Sequence, residues 1–426
     1  MTKLEELMKN LCPNGVEWIP LWQVTIWDKK FTGIERYKQP QVITYPYLLA
    51  NELFAMEQES GDVFLLSTGE KTGWTTEALA GEYLCEGEVV TIPWGKSRAV
   101  TDCIKYYKGK FVTADNRIMT SNDTSRLNNK FLYYWIMRQG TVIDKFYRGS
   151  GIKHPSMKDV LELKIPLPPL AVQYEIVRIL DEYTAKTEEL IKQLEAELEA
   201  RKKQYEYYRD KLLSFTQNNE NGGGCNVQWL TVDELFTLKN GYTPSKSNPD
   251  FWECGTIPWF RMEDIRTQGR ILTCAIQNVT DAAVKAGNLT KAGSLILSTT
   301  ATIGEHALVL VDCLTNQQIT SFTLKDCYRS FIEIKYLFYQ FYKFGEWCQD
   351  NVHKGGSVPI IGAKKLREYK IPVPPLAEQE RIVAILDRFD KLCNDISEGL
   401  PAEIEARRKQ YEYYRDKLLT FEELSA

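Results

Sequence analysis

The sequence predicts an α+β fold, in which two domains of mixed α/β structure are joined by two long helices that form an antiparallel coiled coil. The main observation is an internal repeat, because residues 164–215 return as residues 370–421 at an offset of 206, with 31 of 52 positions identical. A repeat of this length indicates two copies of one large module rather than a solenoid. Helical spacing inside each copy and strand-like runs between the copies supply the other observations. We therefore expect a pseudo-two-fold internal repeat in the structure.

Each copy of the repeat begins with prolines and continues as a helix. In KIPLPPL, residues 164–170, the prolines favour an extended backbone, and Pro169 cannot lie beyond the first turn of a helix. Apolar positions then step alternately by four and three residues from Ile176 to Phe215, with one extra step of four at Leu194–Leu198. Residues 382–421 repeat this stripe. Neither helix would be stable alone in water, so we expect the two to pair.

The two copies differ at one place that matters for the helix. Gly399, Leu400 and Pro401 stand where the first copy has Gln193, Leu194 and Glu195. A proline removes an amide donor and clashes with the preceding turn. We therefore expect an unbroken first helix and a kink or break near Pro401 in the second.

These signals divide the chain into four segments. They are a first domain at 1–163, a first helical repeat at 164–216, a linker and second domain at 217–369, and a second helical repeat at 370–426. Residues 82–98 and 102–113 alternate apolar and polar side chains, as strands do, and residues 128–140 have helical spacing that ends on a glycine. The segment QNNENGGG, residues 217–224, has the composition of a flexible linker.

The two domains share short landmarks but diverge between them. The first domain has VEWIPL, KFLYYWI and GSGIKHPSMKDVLELKIP where the second has VQWLTV, KYLFYQF and GGSVPIIGAKKLREYKIP. We interpret the order as domain, helix, domain, helix, with near-identical helices and unlike domains. Four tryptophans are expected in the cores: Trp18, Trp229, Trp252 and Trp259.

Composition predicts a cytoplasmic protein. No apolar run reaches about 18 residues, and the N-terminus MTKLEELMKN lacks the apolar segment of a signal peptide. The ten cysteines have no CxxC spacing and are expected to be buried thiols, and the three isolated histidines predict no metal site. The net charge of −4 gives no support for nucleic-acid binding by itself.

Common catalytic motifs are missing from the sequence. It contains no GxxxxGK[ST], HExxH or GxSxG motif, and we predict no catalytic residues. Asp326, Glu333 and Lys335 superficially suggest a nuclease site, but they precede an aromatic helix that matches a landmark of the first domain, which favours a structural role. His154 and His353 lie near equivalent places before each proline-rich segment and are interpreted as polar loop residues.

Two features give the chain a resemblance to a known family. One is the pair IPLPPLAVQ (165–173) and IPVPPLAEQERIVAILD (371–387), each leading into a long helix, and the other is NGYTPSKSNPDFWECGTIPWFRMEDI (240–265). Across essentially its whole length the chain resembles the specificity subunit of type I restriction–modification systems. The resemblance implies two target-recognition domains, each reading one half of a split site in double-stranded DNA, and no catalytic activity or cofactor in this chain.

The resemblance also implies partners. Two methyltransferase (modification) subunits, which modify adenine with S-adenosylmethionine, would dock on this chain, and two restriction (motor–nuclease) subunits that use ATP and Mg would join them. The front of the first domain, KKFTGIERYKQPQVITYPYLL (29–49), lacks the G-x-T-P motif of residues 241–244. We therefore expect the two domains to read different sequences, which makes the DNA site asymmetric.

Candidate DNA contacts are polar and cationic residues on turn-rich segments. Arginine pairs with guanine edges or phosphates, and the other types bind phosphates or bases by single hydrogen bonds. For each residue a solvated surface position is the alternative. The candidates are Lys71, Lys96, Arg98 and Lys153 in the first domain, and Lys239, Tyr242, Thr243, Lys246, Arg261, Arg266, Arg270, Thr299 and Thr300 in the second.

Residues interpreted as the outer face of the helical repeats are duplicated as well. A packing seam needs only its inner face preserved, so equal outer faces would offer two like docking surfaces to two copies of one partner. A recent duplication that has not diverged is the alternative. The residues are Glu206, Arg209, Asp210 and Lys211 in the first copy, and Glu412, Arg415, Asp416 and Lys417 in the second.

Two other functions stay open at this point. The chain would instead be a coiled-coil scaffold or adaptor without sequence-specific DNA binding, or an enzyme, either a nuclease or a self-sufficient methyltransferase. The absence of an [ND]PP[YFW] run argues against the methyltransferase. DNA binding measured with the chain and its methyltransferase partner separates a sequence reader from a scaffold.

Overall fold

The chain forms two compact units, seen in a computed structural model that describes residues 2–96, 98–215, 226–285, 287–353, 359–394 and 398–424. The first unit comprises Met1–Gln193 and Ile404–Ala426, and the second comprises Leu194–Glu403. The linker predicted at 217–224 and Ile396 of the second apolar stripe lie outside the described residues.

Strands are numbered along the chain. Those of the first unit are β1 (Glu17–Pro20), β2 (Thr25–Trp27), β3 (Tyr47–Leu48), β4 (Val63–Leu66), β5 (Gly73–Thr75), β6 (Cys85–Ile92), β7 (Lys105–Ala114), β8 (Arg117–Ser121), β9 (Tyr147–Arg148), β10 (His154–Pro155) and β11 (Lys164–Leu167). Those of the second unit are β12 (Gln228–Thr231), β13 (Phe236–Asn240), β14 (Ile257–Phe260), β15 (Ile271–Leu272), β16 (Asn278–Val279), β17 (Ser294–Ser298), β18 (His306–Val309), β19 (Leu314–Thr315), β20 (Ile319–Leu324) and β21 (Lys370–Val373).

Helices are numbered in the same way. They are α1 (Lys3–Leu11), α2 (Leu21–Val24), α3 (Ala50–Ala55), α4 (Glu77–Ala80), α5 (Asn129–Arg138), α6 (Gly140–Lys145), α7 (Met157–Leu161), α8 (Leu170–Leu213), α9 (Val232–Leu235), α10 (Met262–Gln268), α11 (Ile334–Asp350), α12 (Ala363–Glu368), α13 (Leu376–Asn394) and α14 (Leu400–Leu418). The strands and the helix predicted in the first domain correspond to β6, β7 and α5, which confirms them.

The central sheets of the two units share one strand order. The first unit has β2-β8-β6-β7-β4-β5, with β3 also on β7, and the second has β13-β20-β17-β18-β15. In both sheets the first four strands pair antiparallel and the next strand, β4 or β15, pairs parallel. A three-stranded sheet, β16-β14-β19, is added in the second unit. The shared order agrees with the predicted pseudo-two-fold internal repeat, since strands can keep their pairing while the sequences of two domains diverge.

Helices cover both faces of the second sheet. Side chains alternate across a strand, so consecutive residues of β17 point to opposite faces. Leu295 and Leu297 pack in the apolar cluster that contains α11, whereas Ile296 packs with Met262 and Ile265 of α10. This explains why β17, SLILS, is buried along its whole length.

A two-stranded ribbon precedes each long helix. β11 pairs antiparallel with β1 in the first unit, and β21 pairs antiparallel with β12 in the second. The extended backbone predicted for both proline-rich segments is therefore confirmed. Their helices begin at Leu170 and Leu376, directly after the paired prolines.

The predictions for the two repeat helices are also confirmed. α8 runs unbroken through 44 residues, whereas the second repeat forms two helices, α13 and α14, with Pro401 in the first turn of α14. Within the first unit α8 packs against α14, and within the second unit it packs against α13.

Aromatic contacts repeat between the two helix pairs. The ring of Tyr183 lies 5.7 Å from Tyr411 and 5.8 Å from Tyr414. Phe389, which occupies the position of Tyr183 in the second copy, lies 6.3 Å from Tyr205 and 5.7 Å from Tyr208. Because these partners are also equivalent in the repeat, the same aromatic contacts are made within each unit.

The helices of the first unit run antiparallel. Ile176 and Leu180, early in α8, share an apolar cluster with Leu419 and Phe421 after the end of α14. Further along α8, the hydroxyl groups of Thr184 and Tyr411 are 2.8 Å apart. Residues later in α8 thus contact residues earlier in α14, so the two helices are antiparallel, as predicted.

Several predictions about burial need correction. Trp259 is buried, but Trp18, Trp229 and Trp252 are half-buried, and Trp18 and Trp252 lie at the margins of apolar clusters. Among the described cysteines, all free thiols, three are exposed: Cys254 and Cys274, which lie outside helices and sheets, and Cys327, which lies in a three-residue 3-10 helix. In the described ranges none of the helices combines the length and apolar character needed to cross a membrane.

Candidate nucleic-acid interface

One end of the sheet in the second unit gathers several loops. β13 ends there at Asn240, β17 ends at Ser298, and β18 and β20 begin there. The loops that continue from these ends are residues 241–247, 299–305 and 315–318, which we call the second loop edge. They are held together by backbone hydrogen bonds from Tyr242 N to Thr315 O (2.8 Å) and from Thr299 N to Gln318 O (2.9 Å).

The second loop edge brings together several of the predicted DNA contacts. Lys246 is exposed, and the Thr243 hydroxyl donates a hydrogen bond to the side-chain oxygen of Gln317. Arg266 reaches the edge through Glu305, with 3.1 Å between their charged atoms. Thr300 is half-buried and pairs with Ile360. These residues form a mixed polar surface rather than a purely basic one.

The prediction that Thr299 contacts DNA is corrected. Its residue is only 8 % exposed, and its hydroxyl lies 3.3 Å from Gln318 O and 3.3 Å from the hydroxyl of Thr320. It therefore stabilises the loop from inside and is not an accessible DNA contact.

Tyr242 and Lys239 also have structural partners. The Tyr242 hydroxyl donates to Ala283 O and accepts from Lys285 N, both at 2.7 Å. The Lys239 ammonium donates to Gly287 O at 2.7 Å. Both side chains thus hold Ala283, Lys285 and Gly287 in place, so their direct role is to shape this surface.

Arg261 and Arg270 lie in different environments. Arg261 is half-buried at the start of α10, 5.3 Å from the centre of the Trp259 ring, with Glu263 at 3.2 Å. Arg270 instead turns towards α11, where its guanidinium lies 4.9 Å from the centre of the Tyr342 ring. Arg261 borders the second loop edge, since the carbonyl of the preceding Phe260 accepts a hydrogen bond from Asn316 N at 3.1 Å.

All four cations predicted in the first unit lie on neighbouring loops. Lys71 contacts Glu57 at 2.5 Å, and Arg98 contacts Glu70 at 2.5 Å, next to Lys71 in sequence. Lys96 N donates to Lys153 O at 3.1 Å. We call residues 67–71, 94–96, 98 and 149–154 the first loop edge.

Lys96 differs from the other three cations. Its side chain is only 12 % exposed and forms an ion pair with Asp144. The prediction that Lys96 contacts DNA is therefore corrected, because its ammonium group is mostly buried and pairs with Asp144. Lys71, Arg98 and Lys153 stay exposed.

Sequence reasoning missed apolar side chains on the first loop edge. Trp94 is 36 % exposed and lies 4.2 Å, ring to ring, from His154, while Ile152 is 64 % exposed. The neighbouring Gly95 leaves room for Ile152, since a Cβ atom there would come within 2.6 Å of Ile152 Cγ2. The sequence signal that could have indicated these side chains was the glycine-rich segment GSGIK, which contains Ile152 next to the predicted cation Lys153.

The two loop edges are built on equivalent pairings. Lys96 pairs with Lys153 in the first unit, as Thr300 pairs with Ile360 in the second. His154 pairs with Arg148, and Ile360 pairs with His353. His154 therefore corresponds to Ile360, with which it also aligns at the repeat offset of 206, and His353 lies beside Ile360.

The structural interpretation of Asp326, Glu333 and Lys335 agrees with their contacts. Glu333 caps α11, Lys335 lies 2.7 Å from Asp387, and Asp326 lies 2.9 Å from Arg329. Within the described ranges, His, Cys, Asp and Glu form no group of three or more suited to a metal ion.

The duplicated residues on the helices split into two groups. Glu206, Lys211, Glu412 and Lys417 are exposed, whereas Asp210 and Asp416 are half-buried. The expectation that Arg209 and Arg415 face outward is wrong, because their side chains are 13 % and 9 % exposed.

Two exposed tyrosines were missed in the same segment. Tyr207 and Tyr413 occupy equivalent positions, and their residues are 61 % and 63 % exposed. Each lies 5.3 Å, ring to ring, from the next residue, at interplanar angles of 76° and 74° respectively. The identical YEYYRDKLL sequence in both copies carried this signal, but it could not show which aromatic rings faced outward.

Comparisons with known proteins agree with these features. Residues 43–200 and 226–406 match the family described as the type I restriction modification DNA specificity domain. The chain belongs to the family of type I restriction–modification specificity subunits.

Particular relatives match at different lengths. The chain is 35 % identical over 438 residues to the type I restriction enzyme EcoR124I/EcoR124II specificity subunit of Escherichia coli, covering 99 % of this chain and 98 % of that protein. It is 46 % identical over 209 residues to the EcoprrI specificity subunit of Escherichia coli, covering 47 % of this chain and 51 % of that protein.

Solved structures show the same fold at low sequence identity. The HsdS subunit from Thermoanaerobacter tengcongensis superimposes with a TM-score of 0.51 at 15 % identity, over 97 % of this chain and 98 % of that chain. A chain from a study of complex assembly and conformational transition of the type I R-M system superimposes with a TM-score of 0.58 at 16 % identity, over 96 % and 98 % respectively.

Proposed function

We propose that this chain is a non-catalytic DNA-reading subunit. Its two loop edges each read one half of a bipartite, asymmetric site in double-stranded DNA. The observation that carries this proposal is the shared sheet order of the two units combined with loop edges of different composition. A common framework supports one mode of docking on DNA, while different loops support two different base sequences.

The exposed residues repeated on the helices support recruitment of two copies of one partner. In this proposal two methyltransferase subunits dock at the equivalent surfaces that contain Tyr207 and Tyr413. S-adenosylmethionine would bind to those subunits, and two restriction subunits that use ATP and Mg would complete the complex. Equivalent surfaces in a pseudo-symmetric chain suit such a pair of identical partners.

A binding experiment tests the proposal directly. The chain is purified with its methyltransferase partner, and its Kd is measured for a duplex containing the methylated site of the host and for duplexes with either half scrambled. Specific binding is expected to be at least about 10³-fold tighter than non-specific binding at physiological salt. Equal affinity for all duplexes, or no binding, would contradict DNA reading and favour a scaffold.

A further inference from the structure

A polar cleft separates the sheet of the second unit from helix α13. Its volume is about 640 Å³, and it is lined by Gln268 and Arg270 from the sheet side, by Lys335 and Tyr342 from α11, and by Asp390 and Asn394 from α13. Arg270 comes directly before β15, at the edge of the sheet. Its side chain therefore lies where the sheet domain meets the helices.

Arg270 makes contacts on both sides of this junction. Its Nη1 donates to His306 O at 3.3 Å within the sheet, and its guanidinium lies 4.9 Å from the centre of the Tyr342 ring on α11. Burial lowers the pKa of His306 to about 3, so its imidazole is neutral beside the guanidinium. The neutral His306 therefore does not repel the guanidinium of Arg270, which lies over the Tyr342 ring.

Tyr342 connects this contact to the helix pair. Its ring centre is 4.6 Å from the guanidinium of Arg209 on α8, and the next residue, Lys343, lies 3.0 Å from Asp210 on the same helix. These contacts form a continuous path from the sheet edge through α11 to α8. Many other contacts of α11 with the sheet are apolar and therefore non-directional.

The equivalent junction in the first unit uses different residues. There Tyr106 of β7 lies 5.9 Å, ring to ring, from Tyr133 of α5, and Lys130 lies 5.4 Å from the centre of the Tyr106 ring. Met137 stands at the position of Tyr342 in the aligned helices. Each unit thus has a cation–π contact between sheet and helix. In the first unit the cation, Lys130, lies on the helix, whereas in the second unit the cation, Arg270, lies beside the sheet.

We propose that Arg270 is a positioning residue that fixes the angle of the second sheet domain on its helix pair, and thereby restricts the spacer length accepted between the two half-sites. This inference rests on the proposed function. It also replaces the earlier prediction that Arg270 contacts DNA. A guanidinium held over an aromatic ring limits rotation about α11, because the cation–π contact is lost when the cleft opens.

The test measures spacer selectivity in the complex with the methyltransferase partner. Kd is determined for duplexes with the native spacer and with spacers one base pair shorter or longer. For Arg270→Ala and Tyr342→Leu we expect the preference for the native spacer to fall on the order of fivefold or more, while the preferred bases stay unchanged. Tyr342→Phe keeps the ring and should retain the wild-type preference.

A double variant and a matched control sharpen the test. Arg270→Ala combined with Tyr342→Leu should lose no more selectivity than Tyr342→Leu alone, because the contact that Arg270→Ala removes is already absent in that variant. Arg329→Ala removes an exposed arginine that pairs with Asp326 elsewhere in the same unit and should leave the spacer preference intact.

The outcomes separate the two proposals. If the wild-type complex prefers no sequence, the proposed function fails and the positioning role fails with it. If the wild type is selective and Arg270→Ala keeps its spacer preference, only the positioning role is wrong. If Arg270→Ala instead loses discrimination between bases of the second half-site at every spacer length, Arg270 contacts DNA directly and the positioning role is again wrong.

Discussion

Gln173 in the first unit and Gln379 in the second make the same three hydrogen bonds, although the loop edges of their units differ. Each amide nitrogen donates at 2.8 Å to the carbonyl of the first proline of the pair before its helix, Pro168 or Pro374. Each amide nitrogen donates also to a carbonyl before helix α5 or α11, while the side-chain oxygen of each glutamine accepts a backbone N–H from the residue that caps that helix.

A second anchor is also repeated. Asp181 accepts from Tyr134 and pairs with Lys130, just as Asp387 accepts from Tyr339 and pairs with Lys335, at distances of 2.7 or 2.8 Å. The comparison teaches that the contacts between domain and helix are kept, while the loop edges vary. Such an arrangement allows the residues of a loop edge to change while the contacts that attach the domain to the helices stay the same.

The largest expected effect comes from exchanging a whole domain. Replacing residues 225–369 by the corresponding segment of another family member should change the bases of one half-site completely and leave the other half unchanged. The reason is that Gln379 and Asp387 of α13 stay in the chain to hold the exchanged domain, while only one loop edge is replaced. Sequencing methylated adenines in the host measures the outcome, and altered bases in both halves would contradict independent reading.

The glutamine anchors should show the next largest effect. Gln173→Ala and Gln379→Ala each remove three hydrogen bonds at a fully buried side chain, so each should lower the free energy of unfolding by roughly 2–4 kcal/mol. Denaturant unfolding of the two variants measures this loss. Similar losses are expected at both sites. A large difference would show that the two sets of hydrogen bonds contribute unequally to the free energy of unfolding. Gln204→Ala, at a half-buried position on α8, is the control.

The sequence predicted the repeated parts of the molecule well. The apolar stripe, the prolines before Leu170 and Leu376, and the break near Pro401 follow from local rules on periodicity and proline geometry. Local rules suffice here because helix contacts recur every three or four residues.

The sequence could not predict the common sheet or the state of individual side chains. β15 and β4 pair in the same way although one has two residues and the other four, and such pairing depends on partners distant in the chain. Likewise, Lys96 and Arg98 look alike in the sequence, but only Lys96 has an internal carboxylate partner, Asp144. Burial of a charge is decided by tertiary contacts rather than by its neighbours in sequence.

Two equivalent glycines provide a smaller test. A Cβ atom on Gly345 would lie 2.5 Å from the backbone oxygen of Gly304, whereas one on Gly140 would lie 2.3 Å from the side-chain Cγ2 of Thr101. A methyl group can rotate away more readily than a backbone carbonyl can move. Gly345→Ala should therefore cost about 1–3 kcal/mol and Gly140→Ala less than about 1 kcal/mol. Thermal unfolding of both variants would measure the difference, and equal costs would contradict this explanation.

The smallest expected effect concerns one position where the repeats differ in charge. Thr184 hydrogen-bonds to Tyr411 in the first unit, but Asp390 takes its place in the second, where burial raises the pKa of the Asp390 carboxyl above its usual range. A raised pKa means that folding disfavours the ionised form, so stability is lost as pH rises through the folded pKa. Asp390→Asn should therefore stabilise the protein at neutral pH by up to about 1 kcal/mol, because the group is only half-buried.

The pH dependence distinguishes this charge effect from a packing effect. The gain from Asp390→Asn should shrink as the pH falls towards about 4, where an unfolded aspartate also becomes protonated. Asp390→Thr, which copies the first unit, should show the same trend, and Thr184→Asp should introduce the opposite one, a loss that grows with pH. Melting temperatures measured from pH 4 to 8 provide the comparison. A gain for Asp390→Asn that stays constant across this range would show that packing, not ionisation, separates the two sites.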